Sequence, residues 1–217
     1  MYKLVVFDLD GTLADTLSDL AVSMNEALKN NNEAPHDVEC YNKFVGNGIY
    51  NLVKRVLRDK GDDEVLCKKV KAFFDDYYPK HLCDNTVSYE GIPELLKELR
   101  ALSIKTAVNS NKPHIFVPKI LKTLFPEHSF DVAWGNKEEF ERKPSPQALE
   151  AIIKMSGVSN DETLYVGDSD VDVFTAHNAG VRVCGVSWGF RGEEELREAG
   201  ADYIAYDSNQ LLSIIKG

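Results

Sequence analysis

Short apolar runs punctuate the chain, and helical patterns fill most of the intervals between them. Residues 3–8 read as a buried strand, an apolar run that ends in a polar turn. Similar runs recur at 106–109, 130–134, 163–166, 181–186 and 203–205. Ile92, Leu95, Leu96, Leu99 and Leu102 repeat at helical spacing, with Pro93 in a first turn that tolerates it. Ile120, Leu121, Leu124 and Phe125 mark a shorter helix, and Leu149, Ile152 and Ile153 another after Pro146. Strands that alternate with helices predict parallel pairing, hence an α/β fold with a doubly wound, Rossmann-like parallel sheet.

One stretch breaks the alternation. From residue 15 to residue 86 the pattern is helical and shows no strand. Leu17, Leu20, Ala21, Met24 and Leu28 make one apolar face, and Ile49, Leu52, Val53, Val56 and Leu57 a second. Val65, Val70, Phe73, Phe74 and Tyr77 make a third. Loop signals separate them at 30–35, Gly46-Asn47-Gly48 and 60–63. The expected organisation is a core of residues 1–14 and 87–217 with an all-helical cap of residues 15–86. The ends of the insert should lie close together, because the sheet resumes after it. So placed, it can act as a lid over the end of the first strand.

Composition narrows the partners. The 217 residues allow one large domain or a core with a modest second one. A net charge of −10 argues against nucleic acid, which needs surplus Lys and Arg. A small phosphorylated metabolite stays compatible if a divalent cation and placed lysines supply local positive charge. Cys40, Cys67, Cys83 and Cys184 lack C-x-x-C spacing and read as buried or incidental thiols in a reducing compartment. The N-terminus lacks the basic start and long apolar stretch of a secretory signal, and no window approaches a membrane span. The expectation is a cytoplasmic monomer or homodimer without a membrane partner.

The chemistry concentrates in Phe7-Asp8-Leu9-Asp10-Gly11-Thr12. Residues two apart in an extended segment point to one side, so Asp8 and Asp10 project together from the carboxyl end of a strand. Open α/β sheets place ligands at that edge. Gly11 permits the sharp turn, and Thr12 can hold the loop by hydrogen bonding. A divalent cation would relieve the repulsion of the acids and screen a phosphate dianion. One carboxylate can then attack phosphorus while its neighbour moves protons. From spacing alone, a helix-capping acidic turn is an equal reading. Downstream, Asn109-Ser110-Asn111-Lys112-Pro113 ends a strand with a hydroxyl and an amide able to donate to phosphate oxygens, or is an ordinary turn. In Arg142-Lys143-Pro144-Ser145-Pro146 the prolines fix the chain around Lys143, whose ammonium could neutralise Asp8 and phosphate or simply face solvent. Val166-Gly167-Asp168-Ser169-Asp170-Val171-Asp172 runs from a strand into a helix whose dipole favours acids and whose Asp168 could join Asp8 and Asp10 around Mg²⁺.

Asp8-Leu9-Asp10-Gly11-Thr12-Leu13 with Asp15-Thr16 resembles the first signature of the haloacid dehalogenase superfamily. Ser110, K-P-x-P at Lys143 and G-D-S-x-x-D at Asp168 to Asp172 resemble the other three, in the same order. The helical insert resembles the small cap between the first and second signatures. The resemblance implies Asp8 as nucleophile, Asp10 as general acid/base and Lys143 as the catalytic cation. It implies Gly11, Thr12, Ser110, Asn111 and Lys143 around the phosphate. It also implies Mg²⁺ on Asp8, Asp168 and the main-chain carbonyl of Asp10, with Asp172 in support. The stretch from Phe44 to Leu57 and Trp188-Gly189-Phe190-Arg191-Gly192 resemble phosphoglycolate phosphatases, which makes 2-phosphoglycolate the lead substrate. Gly46 and Gly48 could admit an anion or simply link helices, and Arg191 reads more readily as a surface residue. Rival readings within the superfamily are a phosphosugar mutase, a pyrophosphatase and a dehalogenase. A non-catalytic regulatory protein on the same fold is a rival of another class, disfavoured by the intact Asp pair. His177 is expected to face the core.

Overall fold

The computed structural model describes every residue except Asn47, so the middle of the Gly46-Asn47-Gly48 signal lies outside the described residues. The chain forms two compact units, Met1–Asp15 with Ser88–Gly217, and Thr16–Val87. The strands are β1 (Leu4–Phe7), β2 (Ala14–Asp15), β3 (Val87–Ser88), β4 (Lys105–Pro113), β5 (Val132–Asn136), β6 (Thr163–Gly167), β7 (Arg182–Val186) and β8 (Tyr203–Ala205). The helices are α1 (Leu17–Asn30), α2 (Tyr41–Phe44), α3 (Ile49–Val56), α4 (Glu64–Tyr77), α5 (Ile92–Ala101), α6 (Val117–Leu124), α7 (Gln147–Ser156), α8 (Asp170–Asn178), α9 (Glu193–Glu198) and α10 (Ser208–Lys216). None of the described helices is long and apolar enough to cross a membrane.

In the larger unit a parallel sheet runs in the order β5-β4-β1-β6-β7-β8. This is the expected doubly wound α/β architecture. Every residue of β1 is buried, as a central strand covered on both faces requires. Side chains alternate along it, and Leu4 and Val6 pack with Tyr165, Leu149, Ile152 and Val173. Strand order reverses at β1: β4 and β5 extend one way, β6 to β8 the other. The crevice beyond the carboxyl ends of β1, β4 and β6 is the ligand position such topology favours.

The helical unit contains the three expected amphipathic helices, but the third buries a different stripe from the one expected, with Phe73 and Tyr77 only half-buried. α1 buries Leu20, Met24 and Leu28; α3 buries Leu52, Val53 and Val56; α4 buries Cys67, Val70 and Phe74. Asp63 caps α4, accepting from the amides of Val65 and Leu66 at 3.0 Å each. Val65 itself is exposed, because it falls in the first turn away from the stripe of Cys67, Val70 and Phe74.

Asp19, buried in the first turn of α1, ties this helix to the returning chain. Its carboxylate accepts from the amides of Asn85 and Thr86, from Asn85 Nδ2 and from Thr86 Oγ1, at 2.7–3.0 Å. Asp19→Ala would leave the amide of buried Thr86 without its acceptor, at about 1–3 kcal/mol, whereas Asn85 is exposed and Thr86 Oγ1 keeps Leu82 O at 3.3 Å. A fall in Tm of several degrees by calorimetry is expected, and an unchanged Tm would remove Asp19 from the account of stability.

Other features depart from the pattern. The 109–113 segment is not a turn after a strand but part of β4, with a register shift between Asn109 and Pro113. Its polar side chains find partners at the sheet edge, so hydropathy mistakes it for a loop. Leu102 lies past the end of α5 and is exposed. His177 faces solvent on α8, 3.5 Å from Asp202, rather than the core.

Candidate active site

Asp8 follows β1 directly, and its amide extends the ladder to Val166 O at 2.8 Å. The chain then turns tightly: Leu9 O accepts from the amides of Thr12, Leu13 and Ala14 at 3.0–3.3 Å. Gly11 adopts φ +87°, and a Cβ there would stand 2.3 Å from Asp168 Oδ2. The turn therefore needs glycine both for its backbone angle and to admit the carboxylate. Asp168 follows β6, and Ser169 begins α8 in a reciprocal capping box with Asp172. Asp172 Oδ2 accepts from the Ser169 amide at 3.1 Å and from Ser169 Oγ at 2.7 Å.

Lys143 lies among these acids, with Nζ 2.7 Å from Asp172 Oδ1 and 3.0 Å from Asp8 Oδ1. The Asn111 side chain holds the lysine's main chain, accepting from its amide at 2.9 Å and donating to its carbonyl at 3.3 Å. Ser110 is buried on β4, and its Oγ accepts from the Lys112 amide at 3.2 Å. The Thr12 hydroxyl lies 3.5 Å from Asp168 Oδ1. Asp8, Asp168 and Asp172 each offer an oxygen to a buried cluster in which the oxygens lie within 4.8 Å of one another.

The Asp10 carboxylate is held by a second lysine. Lys112 Nζ donates to Asp10 Oδ1 at 2.9 Å and to Oδ2 at 3.3 Å, and the lysine side chain is almost wholly buried. This partner was not singled out from the sequence, although it sits inside the Asn-Ser-Asn-Lys-Pro run. Tyr165 was also missed. Its hydroxyl donates to Asn109 O at 3.0 Å and lies 3.5 Å from Asp172 Oδ1, so a tyrosine amid apolar strand residues was the available signal. Arg191 Nε lies 3.9 Å from Glu195 Oε1.

Electrostatics set this site apart from an ordinary surface. Burial pushes Asp8 up to about 7, aided by Asp172 and Asp10 and opposed by Lys143. Burial, with Asp172 and Asp8, holds Asp168 well above the usual carboxylate range against the Phe190 amide. Burial alone would depress Lys143, but Asp172 and Asp8 hold its pKa above the ordinary lysine value. Asp8 Oδ1 is within ion-pair distance of Lys143, yet it is buried and has no aligned hydrogen bond. An under-coordinated buried carboxylate oxygen among hard oxygen donors, with one lysine set against three acids, fits a divalent cation such as Mg²⁺.

Comparisons with known proteins point to one family. The haloacid dehalogenase-like hydrolase family profile matches residues 5–186. A phosphoglycolate phosphatase from Colwellia psychrerythraea is 32% identical over 219 residues, covering 99% of this chain and 97% of that protein. One from Haemophilus influenzae strain Rd is 34% identical, covering 99% and 98%. The crystal structure of a predicted phosphoglycolate phosphatase from Haemophilus somnus superposes with a TM-score of 0.90 at 33% identity, covering 98% of this chain and 97% of that one. With its parallel sheet, its acids at the ends of β1 and β6, and a profile match over most of its length, the chain belongs to the haloacid dehalogenase-like hydrolase family.

Proposed function

We propose that this phosphoric monoester hydrolase cleaves 2-phosphoglycolate through an aspartyl phosphate on Asp8, with Mg²⁺ held by Asp8, Asp168 and the Asp10 carbonyl. The observation that carries the reading is Asp8 Oδ1, buried beside Lys143 without an aligned hydrogen bond, two residues from a second acid. In the first step an Asp8 oxygen bonds to phosphorus, the bond to the ester oxygen breaks, and Asp10 gives that oxygen a proton. In the second, Asp10 takes a proton from water, whose oxygen attacks the same phosphorus. Free phosphate leaves and the Asp8 carboxylate is restored. Lys143 and Ser110 stabilise charge on the transferring group, and Lys112 keeps the Asp10 carboxylate in one rotamer. Bound Mg²⁺ would neutralise charge on the phosphoryl oxygens.

The names of the full-length relatives support phosphoglycolate as the substrate. A panel of phosphate esters and pyrophosphate, run with Mg²⁺ and with a chelator, tests the proposal. Phosphate release should be fastest from 2-phosphoglycolate, need no bisphosphate activator and vanish on chelation. Faster release from pyrophosphate, a need for a sugar bisphosphate, or full activity in chelator would overturn it.

A further inference from the structure

The loop after β7 is not accounted for by the chemistry above, yet it reaches the acids at several points. The Ser187 amide donates to Ala205 O at 3.0 Å, which anchors the loop to β8 at the sheet. The Trp188 indole N–H then donates to Thr12 O at 3.1 Å, joining residues 176 positions apart. The Phe190 amide donates to Asp168 Oδ2 at 2.8 Å. Between them, Gly189 passes so close that a Cβ would stand 2.2 Å from Asp168 Cβ and 2.5 Å from Gly11 O. The Trp188 ring lies 6.5 Å from that of Tyr89, whose amide donates to Leu13 O at 3.3 Å.

We propose that Trp188, Gly189 and Phe190 form a positioning brace that locks Asp168 against the Gly11-Thr12 turn and so sets the affinity of the acid cluster for its divalent cation. Asp168 has one oxygen facing the Phe190 amide and the other facing the Thr12 hydroxyl, and Trp188 holds the main chain of that same threonine. The brace thus fixes the carboxylate and the turn beside it as one body. Partners of this kind orient a metal ligand without touching the metal, and their loss typically costs about 10- to 100-fold in metal affinity. The alternative is packing alone, in which the indole N–H and the closeness of Gly189 have no bearing on the cation.

The inference rests on reading Asp168 as a cation ligand, so the experiment tests both. Melting curves with and without MgCl₂, and initial rates across a Mg²⁺ titration, are compared for the parent, Asp168→Asn, Trp188→Phe and Gly189→Ala. Trp188→Phe keeps an aromatic ring but lacks the N–H. It should raise half-saturating Mg²⁺ about tenfold and shrink the Mg²⁺-induced rise in Tm, with the metal-free Tm near that of the parent. Excess Mg²⁺ should recover much of its rate. Gly189→Ala should move the same way and further; if it does not fold, Trp188→Phe decides. A Trp188→Phe protein with the parent's Mg²⁺ dependence and thermal response would overturn the brace. If the parent and Asp168→Asn respond to Mg²⁺ alike, the ligand reading fails and the brace falls with it.

Discussion

Asp8→Asn is expected to abolish turnover, by at least about a thousandfold, and to yield a metal-free protein that melts higher than its parent. The loss follows from Asp8 being the proposed nucleophile: an amide cannot form the acyl phosphate. The gain follows from electrostatics. Folding raises the Asp8 pKa from 3.8 to about 7, chiefly by burial and then through Asp172 and Asp10. The folded state therefore binds the proton more tightly than the unfolded one. This favours the fold below the unfolded pKa, and the benefit is lost as pH rises through the folded value. Asparagine has no proton to lose. The variant and parent should be alike near pH 4, with the difference growing to about pH 7 and levelling beyond it. A tenfold change in proton affinity is worth about 1.4 kcal/mol, so the ceiling is about 4 kcal/mol. Loss of the contact between Asp8 and Lys143 is already contained in the raised pKa. Calorimetry from pH 4 to pH 8 checks the result, and a variant less stable than its parent at pH 8 would contradict it. Added Mg²⁺ should stabilise the parent and thereby shrink or reverse the difference.

Lys143→Met is expected to differ in the sign of its stability change, losing activity and stability together. The ammonium is buried between Asp8 and Asp172, and its pKa is held above the ordinary lysine value because those two acids outweigh the cost of burial. Its stabilisation is thus fully present at neutral pH and lost only in strong alkali. Removing one partner of a buried ion pair leaves uncompensated charge and costs about 3–5 kcal/mol, which at about 2–4 °C per kcal/mol lowers Tm by roughly ten degrees. Asp8→Asn in the Lys143→Met background should recover part of that loss, because one of the stranded carboxylates is gone. Purely additive effects on Tm would mean that Lys143 does not balance Asp8.

The parallel sheet was legible because its strands are apolar runs separated by helical stripes, a pattern set by burial alone. The acids at the ends of β1 and β6 were legible for a related reason: charge placed just beyond a buried run stands out. Other features are invisible to periodicity. The 109–113 segment is polar, yet it belongs to β4, since Asn111 is satisfied by the Lys143 main chain and Lys112 by Asp10. Nothing local announces that Lys112 meets an acid 102 residues away. α9 and α10 bury only Leu196, and Leu211 with Ile215, too few apolar positions to show a stripe. The contact of Trp188 with Thr12 depends on the order in which β1, β6 and β7 are laid side by side.

The most direct test of the mechanism is to mix enzyme, Mg²⁺ and 2-phosphoglycolate for a few milliseconds, quench in acid and map phosphorylation by peptide mass spectrometry. A phosphoryl group on the peptide that contains Asp8, absent in Asp8→Asn, is the expected result. Phosphate released while the label sits on another peptide, or on none, would contradict the account.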